Sequence, residues 1–397
     1  MSTKNILIIG GGFGQLPAIL ASKSMGLFVH VVDGNINAPG MKLADIAHAI
    51  DILNVNDVVA IARQYRIDGT LTLQSDIGVP TVGAIVDALG LPGNGLQTAN
   101  RCSDKIQTRL LFTECNIPQP KFAIVKTVAE VAKAALEIGY PCVIKAPDSS
   151  GSRGVTKISN LNQIEAAFNI ALQYTRGTEI LVEEFISGIE IGAQAFSIDG
   201  NCVLALVHDD DVSLPPYMIP IGHAYPSSLS PTNLAAATEQ VKQAVNVLGI
   251  RTGPSNVDLI IDNDGQSKII EIGARIGATC LPELVYQHTG IDWVKQAILA
   301  SLGETLNLTV NKKQPCAAYI IEADQDGIFF GFDLPAEMRN NPDILEWEIT
   351  PAVGDTVSRF RKGTDRIGKV VTQGASQQEA TDLAKRFQAS LKFDIRP

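Results

Sequence analysis

A chain of 397 residues, 45% hydrophobic and 19% charged, is long enough for two or three domains, and at 6% aromatic content their cores must be mainly aliphatic. The formal net charge of −10 argues against nucleic acid as a partner, because phosphate backbones demand a basic face. No apolar run reaches the length of a membrane span, so no membrane partner is expected; the six cysteines, at 102, 115, 142, 202, 280 and 316, form no CxxC pair and fit a cytoplasmic chain with buried thiols.

Residues Ile6–Ile9 read as a buried strand. Gly10-Gly11-Gly12-Phe13-Gly14 follows, then a helix to about Met25 and a second strand, Phe28–Asp33. This is a βαβ unit ending in an acid, the form used by dinucleotide-binding domains. The glycines fit GxGxxG in no register, which counts against the nicotinamide-dependent oxidoreductase that Asp33 would otherwise motivate. A strand at Gly69–Gln74 and a helix at Val79–Leu89 continue the alternation, so residues 1–98 read as a Rossmann-like N-terminal domain.

Beyond Thr98 the pattern changes. Asp104-Lys105-Ile106-Gln107 resembles a capping box and opens a helix to Cys115, stopped by Pro118 and Pro120. A strand (Phe122–Val125), a helix (Val128–Ile138), a strand (Cys142–Ala146), a Gly/Ser-rich loop (149–154), a helix (Gln163–Tyr174) and a strand (Glu179–Ile186) make an α+β subdomain of about 121–187. Strands then dominate, at 190–198, 202–207, 257–261 and 267–272. Between them lies a helix with Pro231 at its start and Gly249 at its end. Residues 99–305 are assigned to one central domain. Residues 306–397 form a small β-rich α+β domain ending in the amphipathic helix Gln377–Leu391.

The strongest chemical feature is the hairpin Val257–Ile272. With a four-residue loop at 263–266, Asp258 faces Glu271 across the strands. Directly opposed side chains have Cβ atoms about 4.5–5.5 Å apart, and like charges there repel unless a cation lies between them. Mg2+ takes one or two carboxylates plus phosphate oxygens, so this pair reads as a metal site, with Mn2+ as an alternative ion. A loop one residue longer or shorter sends the two acids to opposite faces. Arg275 follows between Gly273 and Gly277, suited to clamp a transferring phosphoryl group.

Lys145 ends an apolar strand, where it must be paired or face a ligand. The next loop, with Ser150, Gly151, Ser152 and Gly154, exposes backbone N–H groups of the kind that cradle phosphate. Lys105 stands in the first turn of a helix, where the macrodipole disfavours a cation; it either serves an anionic ligand or is simply solvated. Of the adjacent Glu183 and Glu184, alternation turns one toward the apolar side, to meet a ligand or to protect a strand edge.

Taken in order, Lys105, Lys145, the 149–155 loop, Val182-Glu183-Glu184-Phe185-Ile186, Glu190, Asp258 and Glu271-Ile272-Gly273-Ala274-Arg275 resemble the ATP-grasp superfamily. The resemblance is to its carboxylate–amine (amino-acid) ligases and phosphoribosylglycinamide-synthetase-like members. It implies an ATP-grasp fold behind the Rossmann-like domain and a reaction with Mg-ATP. Lys105 and Lys145 would hold phosphates and the 149–154 loop would cover them. Residues Glu183–Ile186 would contact adenine and Glu190 the ribose. Asp258 and Glu271 would bind the metal, and Arg275 would steady an acyl phosphate. The partners would be a small carboxylate and an amine, with a homodimer as the default assembly.

Gly273 stands where the family usually has a metal-binding Asn, so a silent nucleotide-binding scaffold is a further alternative. Gly277 and Thr279 replace the Gln and Glu that carboxylating members carry, which argues against carboxylation. The segment from Leu214 to Ser227 resembles amino-acid ligases and puts Tyr217 and His223 near the substrate.

Overall fold

Apolar residues on successive positions of Ile6–Ile9 can all be buried only if both faces of the strand are covered, which is the setting of a parallel sheet. The computed structural model, which describes residues 3–213 and 219–397, has such a sheet. Strands β1 (Asn5–Ile9), β2 (Phe28–Asp33), β3 (Ile46–Ala49) and β4 (Gly69–Leu71) run parallel in the order β3-β2-β1-β4. The fourth strand stops three residues short of the expected Gln74. Beyond it Leu73 bridges to Ile276 and the Gln74 N–H donates to the Ile276 carbonyl, so this edge is given over to the central part of the chain.

Asp33 does not stand free for a ribose. Its carboxylate accepts from the N–H groups of Gly11 and Asn35, both at 2.7 Å, and thereby fixes the glycine loop itself. A helix at Leu96–Ser103 straddles the expected boundary at 98; only Ala99 and Cys102 are buried in it, too few to print an apolar period on the sequence. Asp104 caps the next helix, Lys105–Glu114, by accepting from the Ile106 N–H.

Strands β5 (Phe122–Val125), β6 (Cys142–Lys145), β7 (Val155–Ile158) and β8 (Ile180–Glu184) form an antiparallel sheet ordered β5-β8-β6-β7. Cys142, Ile144, Ile180 and Val182 pack against the helices Val128–Ile138 and Ile164–Tyr174. The period of two therefore turns Lys145 and Glu183 to the opposite face.

Among the described residues the largest sheet has eight strands. Strands β9 (Gly188–Ile198), β10 (Asn201–Val212), β11 (Pro220–Tyr225), β12 (Gly253–Asp262) and β13 (Ser267–Gly273) precede residue 305, while β14 (Cys316–Ile321), β16 (Ile344–Ile349) and β18 (Gly368–Gln373) follow it. Pairing of β11 with β14 makes the sheet continuous across that position, in the order β13-β12-β9-β10-β11-β14-β18-β16. Three short strands, β15 (Gly327–Asp333), β17 (Thr356–Val357) and β19 (Lys392–Arg396), form a separate sheet beside it.

The helix Pro231–Leu248, capped by Ser230 and closed by left-handed Gly249, lays Val241, Ala244, Val245 and Leu248 on Ile191, Ala193, Val257 and Leu259. That leaves the alternate residues, Gly192, His208 and Asp258 among them, on the other face. Among the described residues no helix is long and apolar enough to cross a membrane.

Candidate active site

The hairpin brings Asp258 and Glu271 together by a route the sequence did not disclose. Ile261 pairs with Ser267, Ile260 with Lys268 and Leu259 with Ile269, so five positions, 262–266, lie outside the pairing. That one-residue slip alone would part the acids. A β-bulge restores them: Ile270 is unpaired, and Asp258 faces Glu271 after all. The Ile270 carbonyl is not orphaned, because Arg109 Nη2 donates to it at 2.7 Å.

Arg109 is the most deeply buried cation of the site, fully inaccessible to solvent. Its Nε donates to Glu183 Oε1 at 2.8 Å, and Lys145 Nζ lies 2.7 Å from Glu183 Oε2. Burial alone would raise the Glu183 carboxyl; the two cations outweigh it and hold the group near 2. Two cations share one carboxylate, so Lys145 is incompletely compensated. Burial is the main cause of its fall to about 8, with Arg109 and Lys105 adding to it. A buried lysine in this state is stabilised by an arriving anion.

Lys105 Nζ donates to the Ser149 carbonyl at 2.7 Å and lies 2.9 Å from Glu271 Oε1, tying the loop to the acidic pair. The loop is kept tight by Arg153, whose Nε donates to the Ser150 carbonyl. Gly151, Ser152 and Gly154 all adopt positive φ. Of the two adjacent glutamates, Glu183 is the inward one; Glu184 accepts from the Lys121 N–H and lies 3.6 Å from Lys268. Phe185 lies under Lys157 Nζ, 3.5 Å from its ring centroid, and Ile186 is buried. Glu190 is half-buried on β9, and burial together with Asp210 raises its carboxyl.

Asp258 is exposed to solvent. Enclosure by surrounding protein, then the nearness of Glu271 and Asp210, push its carboxyl up to about 7, against the opposing pull of Arg275 and of the Asn256 hydrogen bond. Asn256 Nδ2 donates to Asp258 at 2.9 Å, Gln194 donates to Asn256 Oδ1 at 2.6 Å, and Gln194 in turn accepts from the Gly277 N–H. A Cβ on Gly277 would stand 2.3 Å from Asn256 Oδ1, so glycine there is a condition of this chain of bonds. Two facing carboxylate oxygens backed by an amide, one acid held by a lysine, fit a hard divalent cation.

Arg275 is engaged from an unexpected quarter. Its Nε and Nη2 donate to the two carboxylate oxygens of Asp76, each at 2.8 Å, joining the N-terminal segment to the site. Gly273 makes this possible: a Cβ there would lie 2.5 Å from Asp76 Oδ1. The residue whose side chain is missing beside the acidic pair has its space taken by Asp76. Gly273→Ala is therefore expected to displace Asp76, cost about 1–3 kcal/mol in urea unfolding, and lower activity with it.

His223 sits on β11, buried, with Nδ1 2.5 Å from Asp210 Oδ1; His208 Nδ1 meets the same oxygen at 2.7 Å. Tyr217 lies outside the described residues. Asp76, Arg109, Gln194, Asn256, His208 and Asp210 were not singled out in the sequence. Arg109 could have been, being one turn from Lys105 on the same helix face, and so could His208 and Asp210, two apart on one strand.

With this geometry in view, residues 138–283 match the ATP-grasp domain family, and residues 320–396 match L-amino acid ligase C-terminal domain 2. The L-amino acid ligase of Bacillus licheniformis superposes with a TM-score of 0.85 at 22% identity, over 100% of both chains. The phosphoribosylglycinamide synthetase of Anaerococcus prevotii gives a TM-score of 0.82 at 26% identity, again over 100% of both. A formate-dependent phosphoribosylglycinamide formyltransferase of Trichormus variabilis is 24% identical over 98% of this chain and 97% of that protein.

Proposed function

We propose that this chain, an ATP-grasp carboxylate–amine ligase, joins an amino acid or small carboxylic acid to an amine through an acyl phosphate, with release of ADP and phosphate. The observation that carries the reading is the facing of Asp258 and Glu271 beside Lys105 and Lys145, acids for a cation next to cations for phosphates. Asp258 and Glu271, backed by Asn256, would hold Mg2+. When bound, the ion would neutralise phosphate charge and draw electrons from the transferring phosphoryl group. Mn2+, which takes the same oxygen donors, is expected to substitute.

The remaining chemistry falls to the chain. Lys145, sharing Glu183 with Arg109, offers a charge that a phosphate completes. The positive-φ loop at 151–154 supplies N–H donors over the phosphates. Residues Glu184–Ile186 and Glu190 would line the nucleoside end, while Glu183, expected there as well, is taken up by Arg109 and Lys145. Arg275, held rigid by Asp76, presents its guanidinium where the acyl phosphate forms. The acid's oxygen attacks the γ-phosphorus, ADP leaves, the amine attacks the acyl carbon, and phosphate departs with the bonding pair. The match of the last residues to an L-amino acid ligase domain favours an amino acid as one substrate.

The test is to incubate the protein with Mg-ATP and a panel of carboxylates and amines, glycine with a phosphoribosyl amine among them, while following ADP and phosphate. One acid–amine pair should stimulate ADP release, and Lys145→Ala should weaken ATP binding. No stimulation by any pair, with normal ATP binding by that variant, would overturn the reading.

A further inference from the structure

The polar face of the large sheet carries a second constellation beside the acidic pair. Pairing across β13, β12, β9 and β10 lines up Glu271, Asp258, Gly192 and His208 in one row, all on the same face. Asp210, two residues beyond His208, pairs with His223 on β11. The ring nitrogens of His208 and His223 and an oxygen of Asp210 lie within 4.8 Å of one another.

A cation among these three is disfavoured by distance. Tetrahedral zinc with nitrogen and oxygen ligands at about 2.0–2.2 Å holds its ligand atoms about 3.3 Å apart. Here both Nδ1 atoms meet Asp210 Oδ1 at hydrogen-bonding distance, 2.7 Å and 2.5 Å. An ionised carboxylate only accepts, so both Nδ1 atoms carry a proton, and in the neutral ring Nε2 is then the nitrogen with the lone pair. Tyr225 and His223 pack edge-on against the His208 ring and fix its plane.

Among the described residues Nε2 of His208 has no partner. It is fully buried, in a residue 1% exposed. Such an orphan calls for a partner that arrives later. Its position is given by Gly192: a Cβ there would lie 2.8 Å from Nε2 and 2.3 Å from Cε1. The ring thus overhangs Gly192, the residue that stands between His208 and Asp258 in the row. With strands about 4.8 Å apart, the His208 and Asp258 strands lie two spacings apart, and the absence of a side chain at Gly192 is what lets the His208 ring lie over the strand between them.

We propose that His208, oriented by Asp210, is the base that takes the proton from the attacking amine in the second half of the reaction. This rests on the ligase reading above. The neutral amine nitrogen bonds to the acyl carbon, the carbon–oxygen bond to phosphate breaks, and phosphate leaves with that electron pair. The nitrogen's excess proton passes to His208 Nε2 and from there to solvent. Asp210 is a positioning residue: it sets the tautomer and the ring plane, and His223 completes its hydrogen bonds.

Hydroxylamine separates the steps, since it is largely unprotonated at neutral pH and captures an acyl phosphate without a base. For the wild type, His208→Gln and Asp210→Asn, hydroxamate and amide formation are measured side by side with the acid and amine that drive ADP release. His208→Gln should keep hydroxamate formation within about threefold of wild type while amide formation falls about 100-fold or more. Asp210→Asn, which keeps the shape but no longer enforces the tautomer, should show the same split to a lesser degree. Equal loss of both products in both variants, or undiminished amide formation, overturns the proposal. Absence of hydroxamate from the wild type with every acid overturns the ligase reading and this proposal with it.

Discussion

Asp258→Asn should lower kcat/KM for ADP release about 1000-fold, a loss of about 4 kcal/mol of transition-state stabilisation, without unfolding the protein. The two halves of this result have one cause. Asp258 and Glu271 face each other across the hairpin, and two like charges in that position repel. Under the proposed metal role a cation would complete the pair, so removing one charge should spare the fold and disable the chemistry. Urea unfolding without Mg2+ should show the variant at least as stable as wild type. The stabilisation that Mg2+ with ATP gives the wild type should be absent from the variant. Loss of stability in step with activity would make Asp258 a structural acid and remove the metal assignment.

Arg109→Met should be the most destabilising single change in the site, by about 3–5 kcal/mol. The guanidinium is fully buried, shares Glu183 with Lys145 and holds the carbonyl of the bulged Ile270. Its loss leaves a buried carboxylate with one cation and frees the bulge that sets Glu271 opposite Asp258. Acid sensitivity should report the same interaction. Glu183 is held near 2, below its ordinary value of 4.5. Its contribution to stability is therefore complete above about pH 4.5 and is lost as the pH falls toward 2. In Arg109→Met that acid-dependent loss should shrink, read as a flatter unfolding free energy between pH 5 and pH 3. An unchanged acid limb would mean that Lys145 alone sustains the ionised state.

Local chemistry made much of the fold legible. The helices Val79–Leu89 and Val128–Ile138 begin and end where periodicity and capping place them, and Ser230, Pro231 and Gly249 bound the long helix as their backbone preferences require. The facing of Asp258 and Glu271 was also legible, though on a loop one residue too short. A longer loop and an added bulge cancel in parity, and no local signal announces a bulge.

The rest depends on contacts distant in the chain. Asp76 and Arg275 are 199 residues apart, and only Gly273 hints that something must enter its space. The pairing of β11 with β14 joins strands that straddle residue 305, which composition alone divides. The helix at Leu96–Ser103 carries too few buried residues to show a period. His208 and Asp210 lie beyond the expected strand 202–207, on the part of β10 that runs on to Val212, and their meeting with His223 depends on the β10–β11 register.

The proposed reaction turns on an acyl phosphate made from ATP. Supply the reactive acid labelled with oxygen-18 in its carboxylate, run the ligation to completion with its amine, and weigh the inorganic phosphate by mass spectrometry. One labelled oxygen per phosphate, with none in ADP, is the predicted result. Unlabelled phosphate, or label in the nucleotide, would contradict it.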